Sequence, residues 1–458
     1  MTTAFFFAGA FLLCLMASNR SLRHGLLALI GVGYAYGILR ANFPDTWTYL
    51  MFDAAVLGVF VSQLWRPVPF EQRKRIADLR IWMTLMLAWP TLLCVLFILS
   101  PNTNPLVELV GLRGNVFLLC FMLLGARLDT DDIYWLALRV GALNVAAVAL
   151  ALVQFVVGIE PFFPMNEVTE IIYKSRDVVG RTAYRIPASF SSAHAFSGTL
   201  VMTLPLLLGA WTAGRTRIAH HFLTVALLAS LVGVFVAAAR LHMITGAVIA
   251  LVVTMVGQFG RGQRIKWLLV LGLVGYVVAG NARLQRFTTL TDTEFVSTRV
   301  AGSVNEGVFD LIGEYPLGNG LAGGGTSVPY FLRQGLAEPI GMENEYARIA
   351  LEQGIPGIML WLMFITWVVT RRPWRVRDEW RTARIAAWTA VVVSFGTGAI
   401  GTGLLTSIPQ TVILMLLTGW VTTTARPSVL ARANPRARQA AGSASGLPGQ
   451  PVGDAPLG

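Results

Sequence analysis

Residues 339–370 read PIGMENEYARIALEQGIPGIMLWLMFITWVVT. A polar segment, Glu343-Asn344-Glu345-Tyr346, runs directly into an apolar stretch long enough to cross a bilayer. Asn344 and the acids at this helix start can cap the free N–H groups. Glu345, Arg348 and Glu352 are spaced to pair along one helix face, and they read as structural. Gly354 and Pro356-Gly357 predict a break after the third turn. Chemistry-bearing side chains therefore stand where a membrane helix meets water.

The rest of the 458-residue chain supports that setting. Hydrophobic residues make up 55% and charged residues 13%, with mean hydropathy +0.62. A soluble domain carries about 25% charged residues, so the composition reads as an integral, all-α polytopic membrane protein. The net charge is +12, and 33 of the 36 basic residues are Arg. Nucleic-acid binding does not follow, because most of these Arg sit in short loops between apolar runs, as the positive-inside rule requires. Cys14, Cys94 and Cys120 all lie in apolar runs without metal-ligand spacing and read as packing residues. No His/Cys/Asp cluster suggests a metal, and no cofactor is implied. The run at 4–17 lacks a basic flank and a small-residue cleavage site, and reads as the first span.

Thirteen spans, give or take one, are expected at 4–17, 25–39, 47–64, 81–100, 114–126, 133–158, 193–212, 221–239, 243–259, 267–280, 346–370, 384–404 and 407–423. The basic loops 65–80, 213–220, 260–266 and 371–384 and the tail after 424 all fall on one side if these alternate. That side is the cytoplasm, which puts the C-terminus inside and the two longest loops outside. The organisation follows: N-terminal membrane helices over 1–158, an outer loop over 159–192, central helices over 193–280, a large outer loop over 281–345, C-terminal helices over 346–424 and a disordered cytoplasmic tail over 425–458. The large loop has 65 residues, too many for a connector. Val300, Val304, Val308, Leu311 and Ile312 give it an amphipathic helix over 299–314 that lies on the membrane or caps the spans. The glycine strip 318–325 follows, with two readings open: a flexible connector, or N–H groups that wrap a phosphate.

Charges at membrane depth are expensive. Arg240 lies between two spans with almost no loop, either snorkelling to headgroups or turned inward to grip an anionic substrate. Arg181 and Arg185 precede the span at 193, and His194 stands at its start, where a packed residue is the plainer reading. Arg283, Arg286 and Arg299 lie in the large loop. Outer loops are usually poor in basic residues, so this set points to an anionic ligand such as a lipid-linked pyrophosphate. Glu343 has the position of a helix cap or of a general base.

Taken together, the motifs resemble the O-antigen ligase and polymerase superfamily. Glu343-Asn-Glu-Tyr346 through Glu352-Gln-Gly354-Ile-Pro-Gly357 is similar to its His-Asn-x-Tyr then Glu-x-Gly-x-x-Gly signature ahead of a span. Arg185-Ile-Pro-Ala-Ser-Phe190 through Ala193-His194-Ala-Phe196, Ala239-Arg240, and Arg299 with Glu314-Tyr-Pro316-Leu-Gly318-Asn-Gly320 resemble three further segments in the same order. The resemblance covers about 180–370. It implies a GT-C-like membrane fold and a metal-independent glycosyl transfer at the periplasmic face of the bacterial inner membrane. The implied donor is a polyprenyl-pyrophosphate-linked oligosaccharide. The acceptor is another lipid-linked glycan, lipid A core or a protein, and other polysaccharide-assembly proteins are implied as partners. Arg185, Arg240 and Arg299 would neutralise the pyrophosphate, with Arg181, Arg286, His194, Asn344 and Tyr346 around the substrate. Glu343 would take the place of the ligase His as base. The competing readings are a lipid-linked glycan flippase and a non-catalytic member of a polysaccharide assembly complex.

Overall fold

A computed structural model describes residues 2–66, 72–73, 76–100, 104–165, 174–176, 182–257, 260–280, 308–322, 344–376, 378–401 and 403–423. Residues 1–423 form one compact unit. The helices in chain order are α1 Thr2–Arg20, α2 Leu22–Asn42, α3 Met51–Leu64, α4 Ala77–Ile98, α5 Pro105–Val116, α6 Phe121–Gly125 and α7 Thr130–Val157. After a small hairpin come α8 Ala193–Ala213, α9 Arg217–Val236, α10 Arg240–Val256, α11 Arg261–Gly280, α12 Val308–Glu314, α13 Glu345–Val369, α14 Arg381–Thr397 and α15 Gln410–Thr423. Among the described residues, eight helices are long and apolar enough to cross a bilayer, and α3, α10 and α15 are shorter apolar helices. The protein is a helical, multi-pass membrane protein.

Each of the thirteen expected apolar runs falls on a helix, with corrections at their ends. The run at 47–64 breaks at Leu50, where a single turn over Thr46–Tyr49, capped by Asp45, gives way to α3. The run at 114–126 is the far end of a longer helical stretch that starts at Pro105, with Asn104 accepting from Leu106 N at 3.0 Å. One departure from an all-helical chain lies in the 159–192 loop: β1 Lys174–Arg176 pairs antiparallel with β2 Thr182–Tyr184, Ser175 opposite Ala183. Of the amphipathic helix expected over 299–314, the described part is α12, whose Leu311 is buried. Residues 299–307 and the tail after 423 lie outside the described residues.

Helix α8 is the hub. All but four of its 21 residues are buried, and it carries no Asp, Glu, Lys or Arg. A buried polar network holds its neighbours around it. Tyr34 on α2 donates its hydroxyl to Asn144 Oδ1 on α7, and Asn144 Nδ2 donates to Thr203 on α8 and Ser230 on α9, each at 2.8 Å. With no water at membrane depth, a satisfied polar group is a specific glue between helices.

Contacts sort the helix ends into two groups. At one end Arg66 reaches the carbonyl of Asn19, Arg23 lies 3.7 Å from Asp132, Arg215 pairs with Asp131, and Arg371 bonds Asp78 at 3.1 Å. We call this the basic end. At the opposite end Asn42 donates to the Phe162 carbonyl at 2.9 Å, Ile38 N to Ser189 O at 2.9 Å, and Gln154 to Ala188 O at 2.8 Å.

Candidate functional site

The starts of α8, α10, α13 and α15 meet at the opposite end. A strip over 185–192 leads into α8 and is tied down on both flanks. Gln154 of α7 donates to the carbonyl of Ala188, a residue in the left-handed region at φ 52°. On α2, Gly37 lies so close that an added Cβ would stand 1.9 Å from the carbonyl carbon of Phe190, so only glycine fits. Ser192 then caps α8 by accepting from Ala195 N at 3.1 Å.

This path sets Arg185 against His194. Arg185 Nη1 donates to His194 Nε2 at 2.9 Å. A guanidinium has no lone pair to offer, so Nε2 is the acceptor and the ring proton stands on Nδ1. The His194 ring is exposed. Behind it, the His242 ring centroid lies 5.9 Å away.

His242 is buried and doubly held. The Ser197 hydroxyl donates to the Ala193 carbonyl at 2.9 Å and so accepts from His242 Nδ1 at 3.0 Å. His242 Nε2 then accepts from Gln410 Nε2 at 3.2 Å. Gln410 opens α15 and reaches the ring across Gly198, where an added Cβ would stand 2.0 Å from Gln410 Oε1. That Oε1 atom is buried and has no hydrogen-bond partner among the described residues. Arg240 opens α10 two residues before His242, after a tight turn through Ala238 at φ 52°. Arg185, His194 and Arg240, picked out in the sequence, therefore share one end of the bundle.

The start of α13 joins them through the α14–α15 connection. Glu345 Oε2 accepts from Gly403 N at 2.8 Å, and Glu345 N donates to Gly398 O at 2.9 Å. A Cβ at Gly401 in the same turn would lie 3.4 Å from Leu241, the neighbour of Arg240. Asn344 Oδ1 caps α13, accepting from Tyr346 N at 2.8 Å and Ala347 N at 3.3 Å. The Tyr346 hydroxyl donates to the Phe395 carbonyl. These bonds of Asn344 and Tyr346 act within the protein and fix the helix start. Glu343, Arg299, Arg286 and Arg181 lie outside the described residues.

The acids further along α13 are structural, as their spacing suggests. Arg348 bonds Glu345 Oε1 and Glu352 Oε2, each at 2.6 Å, with all three side chains at most 1% exposed. Asn115 of α5 accepts from Arg348 Nη1 at 3.2 Å and donates to Glu352 Oε2 at 2.7 Å. Gln353 Nε2 adds a bond to Asn115 Oδ1 at 2.9 Å. A buried ion pair is tolerated only with such extra bonds.

Of the strip 318–325, residues 318–322 are described and lie docked against the protein, and 323–325 lie outside the described residues. Asn319 N donates to Leu351 O at 2.7 Å, Gly318 N to Tyr315 O at 3.0 Å and Leu321 N to Glu108 Oε2 at 3.0 Å. The N–H groups of Gly318, Asn319 and Leu321 are used within the segment and in docking it onto α13 and α5. The docking point is the predicted break: Gly354 has φ 65°, and Ile355 N donates to Pro316 O at 2.9 Å.

Sequence reasoning passed over Ser197, His242 and Gln410. The available signal was a second His in an apolar span two residues after Arg240. Among the described residues no group of three His, Cys, Asp or Glu is placed to hold a metal ion. No protein-family model matches the chain, and no curated protein matches it.

Proposed function

We propose that the protein is a glycosyltransferase of the bacterial inner membrane that transfers or polymerises a polyprenyl-pyrophosphate-linked glycan at the periplasmic face. The observation that carries this reading is the gathering of Arg185, His194, Arg240 and His242 at the bundle end away from the basic loops. Cations at that end oppose the usual charge bias and suit an anionic ligand. In this reading the basic end is cytoplasmic and the thirteen runs alternate across the bilayer in a GT-C-like arrangement.

The reaction is a single displacement. An acceptor hydroxyl attacks C1 of the donor sugar and gives its proton to Glu343, which directly precedes Asn344 in the chain. The C1–O bond to pyrophosphate breaks, and the leaving group departs with the electron pair. Arg185 and Arg240, with Arg299, neutralise the charge it gains. Inversion at C1 is the outcome. The test is purified protein given lipid-linked oligosaccharide, with the products sized. Longer glycans or a glycosylated acceptor are expected, and Arg240→Ala and Glu343→Gln each lower the yield at least tenfold. Full activity in both variants overturns the assignment of residues. Lipid crossing liposomes without any transfer overturns the enzyme reading in favour of a flippase.

A further inference from the structure

A second group of cations lies at the basic end, around Trp135 on α7. The Arg139 guanidinium carbon is 3.7 Å from the Trp135 ring centroid and the Arg23 guanidinium carbon is 5.2 Å from it. The His24 ring centroid is 4.6 Å from the same indole. Arg20 closes α1 three residues before Arg23. Asp132 lies 3.7 Å from Arg23 Nη1, an ion-pair separation beyond hydrogen-bond length. Its neighbour Asp131 pairs with Arg215.

Both guanidinium forks are largely unused. Among the described residues Arg139 donates one hydrogen bond, from Nη1 to the Trp135 carbonyl at 3.1 Å. Among the described residues Arg23 donates no hydrogen bond, its Nε is buried without a hydrogen-bond partner, and it is held near Asp132 by the ion pair alone. Each fork has five N–H donors matched to the oxygens of a phosphate. Arg23 and Arg139, both held against one indole, repel one another, and an anion lowers that cost.

The depth is that of a headgroup. Helix α7 has 28 residues, about 42 Å at 1.5 Å per residue, against about 30 Å of hydrocarbon. Its far end carries exposed Leu152, Val153, Phe155, Val156 and Val157 and belongs in the hydrocarbon. The surplus of about 12 Å, roughly eight residues, therefore falls over 130–137 at the start of α7, which puts Trp135 at the interface and Arg139 about 3 Å below it, within reach of the headgroups by snorkelling. An amphipathic indole belongs at that level, and basic pockets between helices there take lipid phosphates.

We infer that Arg23 and Arg139, flanking Trp135, form a binding site for a phosphate group, supplied by an anionic lipid headgroup or by free phosphate. The site is independent of the transferase reading. The test uses the full-length protein in mild detergent, with native mass spectrometry to count retained phosphatidylglycerol and a melting curve to read inorganic phosphate at matched concentration. Wild type is expected to retain phosphatidylglycerol over phosphatidylcholine. Arg23→Gln/Arg139→Gln lowers the bound fraction ratio by about tenfold, the loss of one or two charge-assisted hydrogen bonds. Arg23→Lys/Arg139→Lys keeps part of it. Retention of phosphatidylglycerol alone identifies a lipid site, and an equal melting response to inorganic phosphate identifies free phosphate as the source. If the double variant aggregates, Arg139→Gln is read in the same assay. Equal lipid retention and equal phosphate response in wild type and the Gln variants overturn the proposal.

Discussion

Replacing Arg348 by leucine is expected to destabilise the protein more than any single surface change. Arg348 holds Glu345 and Glu352 at 2.6 Å each, and all three are at most 1% exposed. Glu352 Oε1 has no hydrogen-bond partner among the described residues even with Arg348 present. Removing the cation leaves two carboxylates buried in one helix face, a loss of about 3–5 kcal/mol for a broken buried pair. That is roughly two to four powers of ten in the folding equilibrium, a large part of a total of about 5–15 kcal/mol. The same loss loosens the docked segment, since Asn319 and Pro316 bond α13 at Leu351 and Ile355. The assay is reversible unfolding in mixed micelles, followed by tryptophan fluorescence. The control is Glu345→Gln/Arg348→Leu/Glu352→Gln, in which Gln at 345 keeps an acceptor for Gly403 N–H. It should recover at least half of the loss, because no uncompensated charge remains. A single variant within about 1 kcal/mol of wild type, or a triple variant no more stable than the single, refutes the reasoning.

Two glycine substitutions separate frame from site. Gly37→Ala places a Cβ 1.9 Å from the Phe190 carbonyl carbon and 2.1 Å from Ser191 N; backbone on both sides cannot yield cheaply, so a loss of at least about 1–3 kcal/mol is expected in the same unfolding assay, with glycan transfer falling alongside as the strip bearing Arg185 shifts. Gly198→Ala meets first the tip of Gln410, at 2.0 Å, and the His242 ring, at 2.7 Å; the Gln410 side chain swings away, stability falls by about 0.5–1.5 kcal/mol for the lost hydrogen bond, and transfer activity is expected to drop while the fold, read by circular dichroism, is kept.

Local features were legible in the sequence and distant ones were not. The cap at Asn344, the Glu345–Arg348–Glu352 pairing and the break at Gly354 follow from spacing within α13, where neighbours are fixed by helix geometry. The positions of the apolar runs follow from hydropathy, because lipid acts on short segments. Asn115 could not be placed against Arg348, since 233 residues separate them in the chain and packing alone brings α5 to α13. His242 and Gln410 look like isolated polar residues in apolar runs until α10 and α15 meet beside α8. The glycines at 318 and 320 suggested an open loop; their φ of 96° and 92° instead turn the chain down onto Glu108 and the α13 break. That use of glycine is invisible without the partner surface.

The most direct measurement of the central claim is photo-crosslinking with a polyprenyl pyrophosphate carrying a photoreactive group near its phosphates, followed by peptide mapping. The account predicts label on peptides holding Arg185, His194, Arg240 and His242, reduced severalfold in Arg185→Ala/Arg240→Ala and by competing lipid-linked glycan. Label concentrated on the basic segment 371–384, or label at 185–242 unchanged by the double substitution, contradicts it.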